Sequence, residues 1–290
     1  MSMAAPFPYF GGKRTIAAEV WMRFGAPKQY IEPFCGSAAI LLSARKPAPL
    51  EVVCDINGFI ANFWRAVKYQ PDQVAFHADY PVSHIDLGAR HGWLIAQRDR
   101  LGAELQDPSW PGDAKVAGWW LWGQCSWIGS GWCEWEKEAG QVPHAGNAGT
   151  GDLILLTSAG RTAWRWLQHL ADRLERVRIM HGDWSRCLNS HYGGEETAIF
   201  LDPPYRGYEE IYAVAPTAEA VARWAKDNAA LRIALCGRAG DYDLPGWEAV
   251  RWSRNSFTYG GGKTRDDECV WYSPACLAAP KQLTLFEATA

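Results

Sequence analysis

Thr197-Ala198-Ile199-Phe200-Leu201-Asp202-Pro203-Pro204-Tyr205 is an apolar run that stops abruptly at a carboxylate, two prolines and an aromatic ring. It reads as a buried strand that ends and emerges into a cleft. Proline fixes φ and has no backbone donor, so the Pro203 carbonyl is held in place with few local competitors. A carboxylate and a fixed carbonyl together can accept both hydrogens of a planar amino group, and Tyr205 can stack on the heterocycle that carries it. The set suits chemistry on the exocyclic nitrogen of a nucleobase. The same residue types also make an ordinary strand-to-loop turn, where Asp and Pro are common.

Outward from this stretch, strand-like runs recur at 29–34, 50–55, 176–181, 230–236, 247–252 and 268–273, alongside 197–202 itself. Apolar spacing near 3.6 predicts helices over 13–24, 37–45, 57–69, 160–174 and 217–228. Strands that alternate with helices imply an α/β fold with a mostly parallel sheet covered on both faces. A short loop joins the last two strands, which predicts an antiparallel hairpin at a sheet edge. Residues 76–155 break the rhythm with a helix over 87–106, a Trp-rich segment and a Gly-rich loop from Gly140 to Gly151. The stretch reads as an inserted small domain. It divides the main domain into 1–75 and 156–274, and leaves 275–290 as a loosely held tail.

The chain has 290 residues, enough for a full core, and a net charge of −3, so no global basic field advertises a nucleic-acid partner. Seventeen Trp are unusual, and many fall between Trp110 and Trp135. Most are expected in the core, with aromatic platforms for bases as the alternative. Eight Cys are present, no pair with C-x-x-C spacing, and several sit in apolar strands, which favours a reducing cytoplasm and no metal site. No signal peptide and no run long enough to span a bilayer is visible.

Further motifs end other strands. Ile31-Glu32-Pro33-Phe34-Cys35-Gly36-Ser37-Ala38-Ala39 is a strand, a tight turn and a helix start, where backbone can approach a nucleotide-like ligand closely. It lacks the G-x-G-x-x-G spacing of dinucleotide binders. Cys54-Asp55-Ile56-Asn57 ends the next strand: Asp55 is placed for ribose hydroxyls, and Asp or Asn also serves as a helix N-cap. His181-Gly182-Asp183-Trp184 offers an acceptor and a flat ring for adenine, or simply a cap at Asp183. Phe10-Gly11-Gly12-Lys13 precedes a helix and lacks the spacing of a triphosphatase loop.

Taken in order, Tyr9-Phe10-Gly11-Gly12-Lys13, Glu32 to Ser37, Asp55-Ile56-Asn57, Gly182-Asp183 and Asp202 to Tyr205 make the chain similar to the Dam-like (D12 class) DNA adenine-N6 methyltransferases, of a phage or prophage type. The resemblance implies a Rossmann-like methyltransferase fold and S-adenosylmethionine as cofactor, with S-adenosylhomocysteine as product and no metal. It implies that Gly36 and its neighbours line the methionine part, that Asp55 binds ribose, and that Asp183 binds the adenine amine. Lys13 would lie beside cofactor and target base. Asp202 and the Pro203 carbonyl would grip the target amine and Tyr205 would stack on the flipped base, with Pro204 belonging to the same candidate catalytic motif. Where the family has a second glycine this chain has Ala38, tolerated if φ is negative.

The resemblance also implies that the insertion reads double-stranded DNA. The hallmark residues of GATC readers are not evident there, so either a different site or relaxed specificity is expected. Candidate DNA contacts are Trp127, Trp132, Lys137, Arg206, Arg254, Lys263 and Arg265. Near the C-terminus, Gln282-Leu283-Thr284-Leu285-Phe286 resembles the peptide by which bacterial replication proteins dock on the sliding clamp. Leu285 and Phe286 would fill a pocket, with Gln282 at its rim. A cytoplasmic monomer is expected, with a role in restriction-modification, genome protection or regulation. Two rivals stand beside this reading: an RNA amino-group methyltransferase, and a silent DNA- or clamp-binding protein.

Overall fold

Seven short β-forming runs pair into one sheet in this computed structural model, which describes residues 3, 5–7, 13–127, 132–133, 162–188, 194, 196–204, 217–253 and 267–277. The strands are β1 Gln29–Glu32, β2 Leu50–Asp55, β3 Val177–His181, β4 Thr197–Leu201, β5 Arg232–Arg238, β6 Glu248–Ser253 and β7 Asp267–Tyr272. Each of the seven strands expected from sequence is present. The sheet order is β3-β2-β1-β4-β5-β7-β6, with β1 to β5 parallel and β7 antiparallel to both β5 and β6. The fold is therefore mixed α/β with a mostly parallel sheet, as expected. The terminal hairpin has one unexpected feature: β7 inserts between β5 and β6, so the last strand is interior and β6 forms the edge.

The helices are α1 Ala17–Phe24, α2 Ala39–Ser43, α3 Gly58–Tyr69, α4 Pro71–Ala78, α5 His84–Ile95, α6 Arg98–Glu104, α7 Ala114–Ser126, α8 Thr162–Leu174 and α9 Ala218–Asp227. β4 is buried at all five positions, because helices cover both faces of the sheet. One face carries Tyr30, Val53, Ala198, Phe200, Ala234, Val270 and Tyr272, packed with α1, α2, α3 and α8. The other carries Ile31, Val52, Ile199, Leu201, Leu235 and Trp271 against α9. The period-2 alternation of strands assigns each residue to its face.

The single helix expected over 87–106 is two, α5 and α6, and the helices α4 and α7 were not anticipated. Asp113 starts α7 by accepting from the Val116 N–H at 2.9 Å, and Asn62 of α3 exchanges two hydrogen bonds with the Asp113 backbone, at 3.1 and 2.7 Å. α7 is buried on nearly every side, so it lacks the apolar stripe that announces a helix in sequence. Leu87, Leu94, Leu101, Val116, Trp120 and Leu121 join the same core that covers the first face of the sheet. Phe7 ties the N-terminal segment to this core through ring contacts with Phe63, Trp64 and Trp120.

Candidate active site at the carboxyl ends of the strands

Four parallel strands deliver their last residues to one end of the sheet, and there the motifs meet. After β1 the chain turns through Cys35 to Ala38. The Cys35 N–H donates to Cys54 O at 3.0 Å, and the Gly36 N–H donates to Asp55 Oδ2 at 2.9 Å. Trp64 of α3 holds the turn from behind, its Nε1 donating to Gly36 O at 2.9 Å. Gly36 has φ 44°, which glycine adopts at no steric cost. Ala38 has φ 50°, contrary to the negative value expected. Its Cβ carries the strain of a left-handed residue, of order 1–2 kcal/mol. Ala38 is also fully buried, and that recovers much of the cost at about 0.8 kcal/mol per methyl.

Glu32, expected to line the cofactor, instead turns into the interior. It is 2 % exposed and accepts from the Tyr30 hydroxyl at 2.9 Å and the Leu41 N–H at 3.2 Å. Burial pushes its carboxyl up to about 8, against those two donors. It is thus largely protonated at neutral pH and straps β1 to the start of α2. Pro33 and Ser37 follow in the same turn, and Ser37 is buried.

Asp55 ends β2 with three donors on it: the Gly36 N–H, the Asn57 N–H at 2.9 Å and the Cys35 thiol. Burial raises its pKa to about 6, and the backbone donors oppose that rise. Asn57 caps α3 through the Phe59 N–H, as expected of one of the two residues. Ile56 offers its carbonyl to His181 Nε2 at 3.2 Å. Gly182, at φ 127°, donates to Asp55 O at 3.0 Å, which joins β3 to this corner. Asp183 caps the short 3-10 turn Trp184–Cys187 by accepting from the Ser185 N–H. Trp184 stacks on Phe34 with centroids 6.1 Å apart and planes 21° apart, both rings half-buried. An acceptor-only carboxylate beside two flat rings has the chemistry a nucleoside requires: hydroxyls for the acceptor, a purine for the rings. The donor set fits the adenosine part of the expected cofactor.

Beside this corner lies a buried ion cluster. Lys13, in the 3-10 turn Lys13–Thr15 before α1, places Nζ 3.0 Å from Asp202 Oδ2 and 3.5 Å from Glu268 Oε2. Lys13 is 4 % exposed, the Glu268 side chain 7 % and that of Asp202 19 %, so Asp202 is the member that faces outward. Burial would lower the Lys13 pKa. The surrounding Asp202, Cys236 and Glu268 outweigh it and hold the ammonium above the ordinary lysine value. Pro203 is buried and Pro204 half-buried, directly after Asp202. Sequence reasoning missed Glu268, which lies in no motif. A usable signal was its phase: it alternates with Val270 and Tyr272 on an otherwise apolar strand face.

Residues 9–82 match the family model of D12 class N6 adenine-specific DNA methyltransferases. This D12 match spans the Gly36 turn, Asp55 and α3, and ends just beyond α4. Asp202 lies outside it, yet touches Lys13 inside it. The chain has no match among curated proteins. The described residues hold no group of His, Cys, Asp and Glu arranged for a metal, and no described helix is long and apolar enough to cross a membrane.

Among the candidate DNA contacts, Trp132 lies in the core. It is 5 % exposed, its Nε1 donates to Trp120 O at 3.0 Å, and its ring fills the space beside Gly123. Trp127 is partly buried and stacks on His91 at 5.1 Å. Tyr9, Phe10, Gly11, Gly12, Tyr205, Lys137, Arg206, Arg254, Lys263, Arg265 and the tail Gln282, Leu283, Leu285 and Phe286 lie outside the described residues.

Proposed function

We propose that the chain transfers a methyl group from S-adenosylmethionine to N6 of an adenine turned out of duplex DNA. The Lys13–Asp202 ion pair carries this reading, because it joins the family-matched segment to the one carboxylate of the cluster that faces the cleft. When bound, the cofactor supplies an electrophilic methyl group, so no metal is needed. In this reading Asp55 accepts from its ribose hydroxyls, Phe34 and Trp184 receive its adenine ring, and the Gly36–Ser37 turn lines its methionine part. Asp183, although it caps a turn, keeps acceptor capacity for the adenine amine.

Asp202 and the Pro203 carbonyl accept the two hydrogens of the target amine. Those hydrogen bonds draw the nitrogen lone pair out of conjugation and orient it. Lys13 keeps Asp202 charged although water is largely excluded. As methylation proceeds, positive charge would develop on N6, the carboxylate would stabilise it, and one of the two N6 hydrogens would then leave as a proton by way of Asp202, giving the neutral methylamine. Tyr205 stacks on the base. Residues 76–155 form the target-recognition part, and Trp127, Lys137, Arg206, Arg254, Lys263 and Arg265 contact DNA. Trp132 is left out of that set because it packs in the core. The segment Gln282–Phe286 docks on the sliding clamp; unchanged co-elution with the clamp after deletion of 281–290 would refute that role.

Expression in a methylation-free host, followed by mapping of N6-methyladenine, tests the activity. A mark on the genome is expected, and the sequences around it give the recognition site. A genome without it overturns the reading, and methylated ribosomal RNA in its place would establish the RNA rival.

A further inference from the structure

Glu268 is the buried charge that the proposed chemistry leaves unexplained. It reaches the site because β7 runs backwards. The parallel strands β1 to β5 all end at this side of the sheet, whereas an antiparallel strand between β5 and β6 begins there. Glu268 therefore pairs with Arg238 at the end of β5 and with Trp252 near the end of β6. Its phase puts it on the Val270–Tyr272 face, which is also the face of Phe200 and, one alternation later, of Asp202.

Among the described residues, Lys13 is surrounded by groups that include Asp202 after β4, Glu268 on β7, Cys236 on β5 and the ring of Trp252 on β6, 5.9 Å from Nζ. Glu32 acts on Asp202 from β1. Two carboxylates share this one ammonium, and the more exposed of them is Asp202. A second carboxylate also anchors Lys13 behind Asp202 and draws its charge away from the cleft.

We propose that Glu268 is a positioning residue: it holds the Lys13 ammonium in place behind Asp202, so that Lys13 keeps Asp202 fixed toward the target amine. The role rests on the methyl-transfer reading. It predicts that Glu268 acts on the chemical step and through Lys13, while the cofactor corner around Asp55 is unaffected.

The test uses the full chain and the variants Glu268→Gln, Glu268→Asp, Lys13→Gln and the double variant Lys13→Gln/Glu268→Gln. One readout needs neither cofactor nor DNA: titration of the Lys13 side chain by NMR of lysine-labelled protein. In Glu268→Gln its pKa should fall by about one unit or more, since a neighbouring carboxylate has been removed. In single-turnover methyl transfer, Glu268→Gln should lower the rate about ten- to a hundredfold, with cofactor Kd within about twofold of wild type. The alkaline limb of the rate profile should move to lower pH than in wild type, because a weakened lysine loses its proton earlier.

Glu268→Asp should recover part of the rate, and it serves as the probe should the Gln variant fold poorly. In the Lys13→Gln background, removal of the Glu268 charge should cost little more, and this variant leaves no lysine buried beside a single carboxylate. An active wild type whose Glu268→Gln variant keeps the same rate, alkaline limb and Lys13 pKa would overturn this role alone. A wild type that transfers no methyl group would overturn the enzyme reading and this role with it.

Discussion

Asp55 and Asp202 end two parallel strands of the same sheet, and they are held by opposite means. Asp55 is held by neutral donors: two backbone N–H groups and a thiol. Asp202 is held by a buried ammonium that Glu268 shares. Neutral donors orient a carboxylate without cancelling the cost of burying its charge, so Asp55 stays titratable near pH 6. A counterion fixes the charge itself. The corner read as cofactor-binding is thus pH-sensitive, and the corner read as catalytic is pinned.

Asp202→Ala is the strongest way to separate the corners. Methyl transfer should fall by about a thousandfold or more, comparable to or beyond losing an oxyanion-hole donor, while calorimetry shows cofactor binding within a few-fold of wild type. Near-normal turnover would remove the catalytic half of the comparison. Lys13→Met attacks the counterion. It removes the buried ammonium that Asp202 and Glu268 share, so denaturant unfolding should show a loss of about 3–5 kcal/mol. A loss below about 1 kcal/mol would mean that water, not Lys13, balances the cluster.

Asp55→Asn probes the other corner. Cofactor affinity should drop roughly ten- to a hundredfold, because an amide presents a donor where the hydroxyls need an acceptor. Wild-type affinity should weaken as pH falls through about 6, and the variant should show no such step. The stability effect has the opposite sign. The folded pKa of Asp55 lies above its unfolded value, so burial of the charged form costs stability above about pH 6, and that cost disappears as the pH falls below the unfolded value. The variant should therefore gain on wild type most above about pH 6. Ala38→Gly is expected to change least. Relief of left-handed strain is offset by a lost buried methyl and a more flexible unfolded chain, so the net shift should stay within about 1 kcal/mol by thermal melting.

Much of the fold was legible because strands buried on both faces read as uninterrupted apolar runs between turn residues. The seven strand ends were shifted by two residues at most. What escaped had physical reasons. α7 shows no stripe because Trp120, Trp122 and Cys125 are buried alongside Ala117 and Leu121 on other sides of the same helix. The break between α5 and α6 falls at Ala96 and Gln97, good helix formers that give no sign of a stop. The interior place of β7 depends on pairing across the sheet, which a hairpin signal does not specify. In the candidate site, the motifs pointed to Asp55, Asn57 and Lys13; the first two stand at and just after the end of β2, and Lys13 lies against Asp202. Glu32 was misassigned because a carboxylate inside a motif looks functional until its partners Tyr30 and Leu41 are seen. Glu268 needed the strand phase and the reversed direction of β7 together.

That reversal also fixes when the site can exist. Lys13 lies near the beginning of the described chain and Glu268 near its end, yet they meet in one buried cluster. During synthesis, α1 and the first parallel strands emerge long before β7. The cluster is closed only when the last strand threads into its slot beside β5. Contacts between such distant parts of a chain are slow to form, because loop-closure entropy must be overcome first. The complete cluster is therefore a late product of folding, and a chain that has formed only its parallel strands holds the Asp55 corner before it holds the shared ammonium beside Asp202.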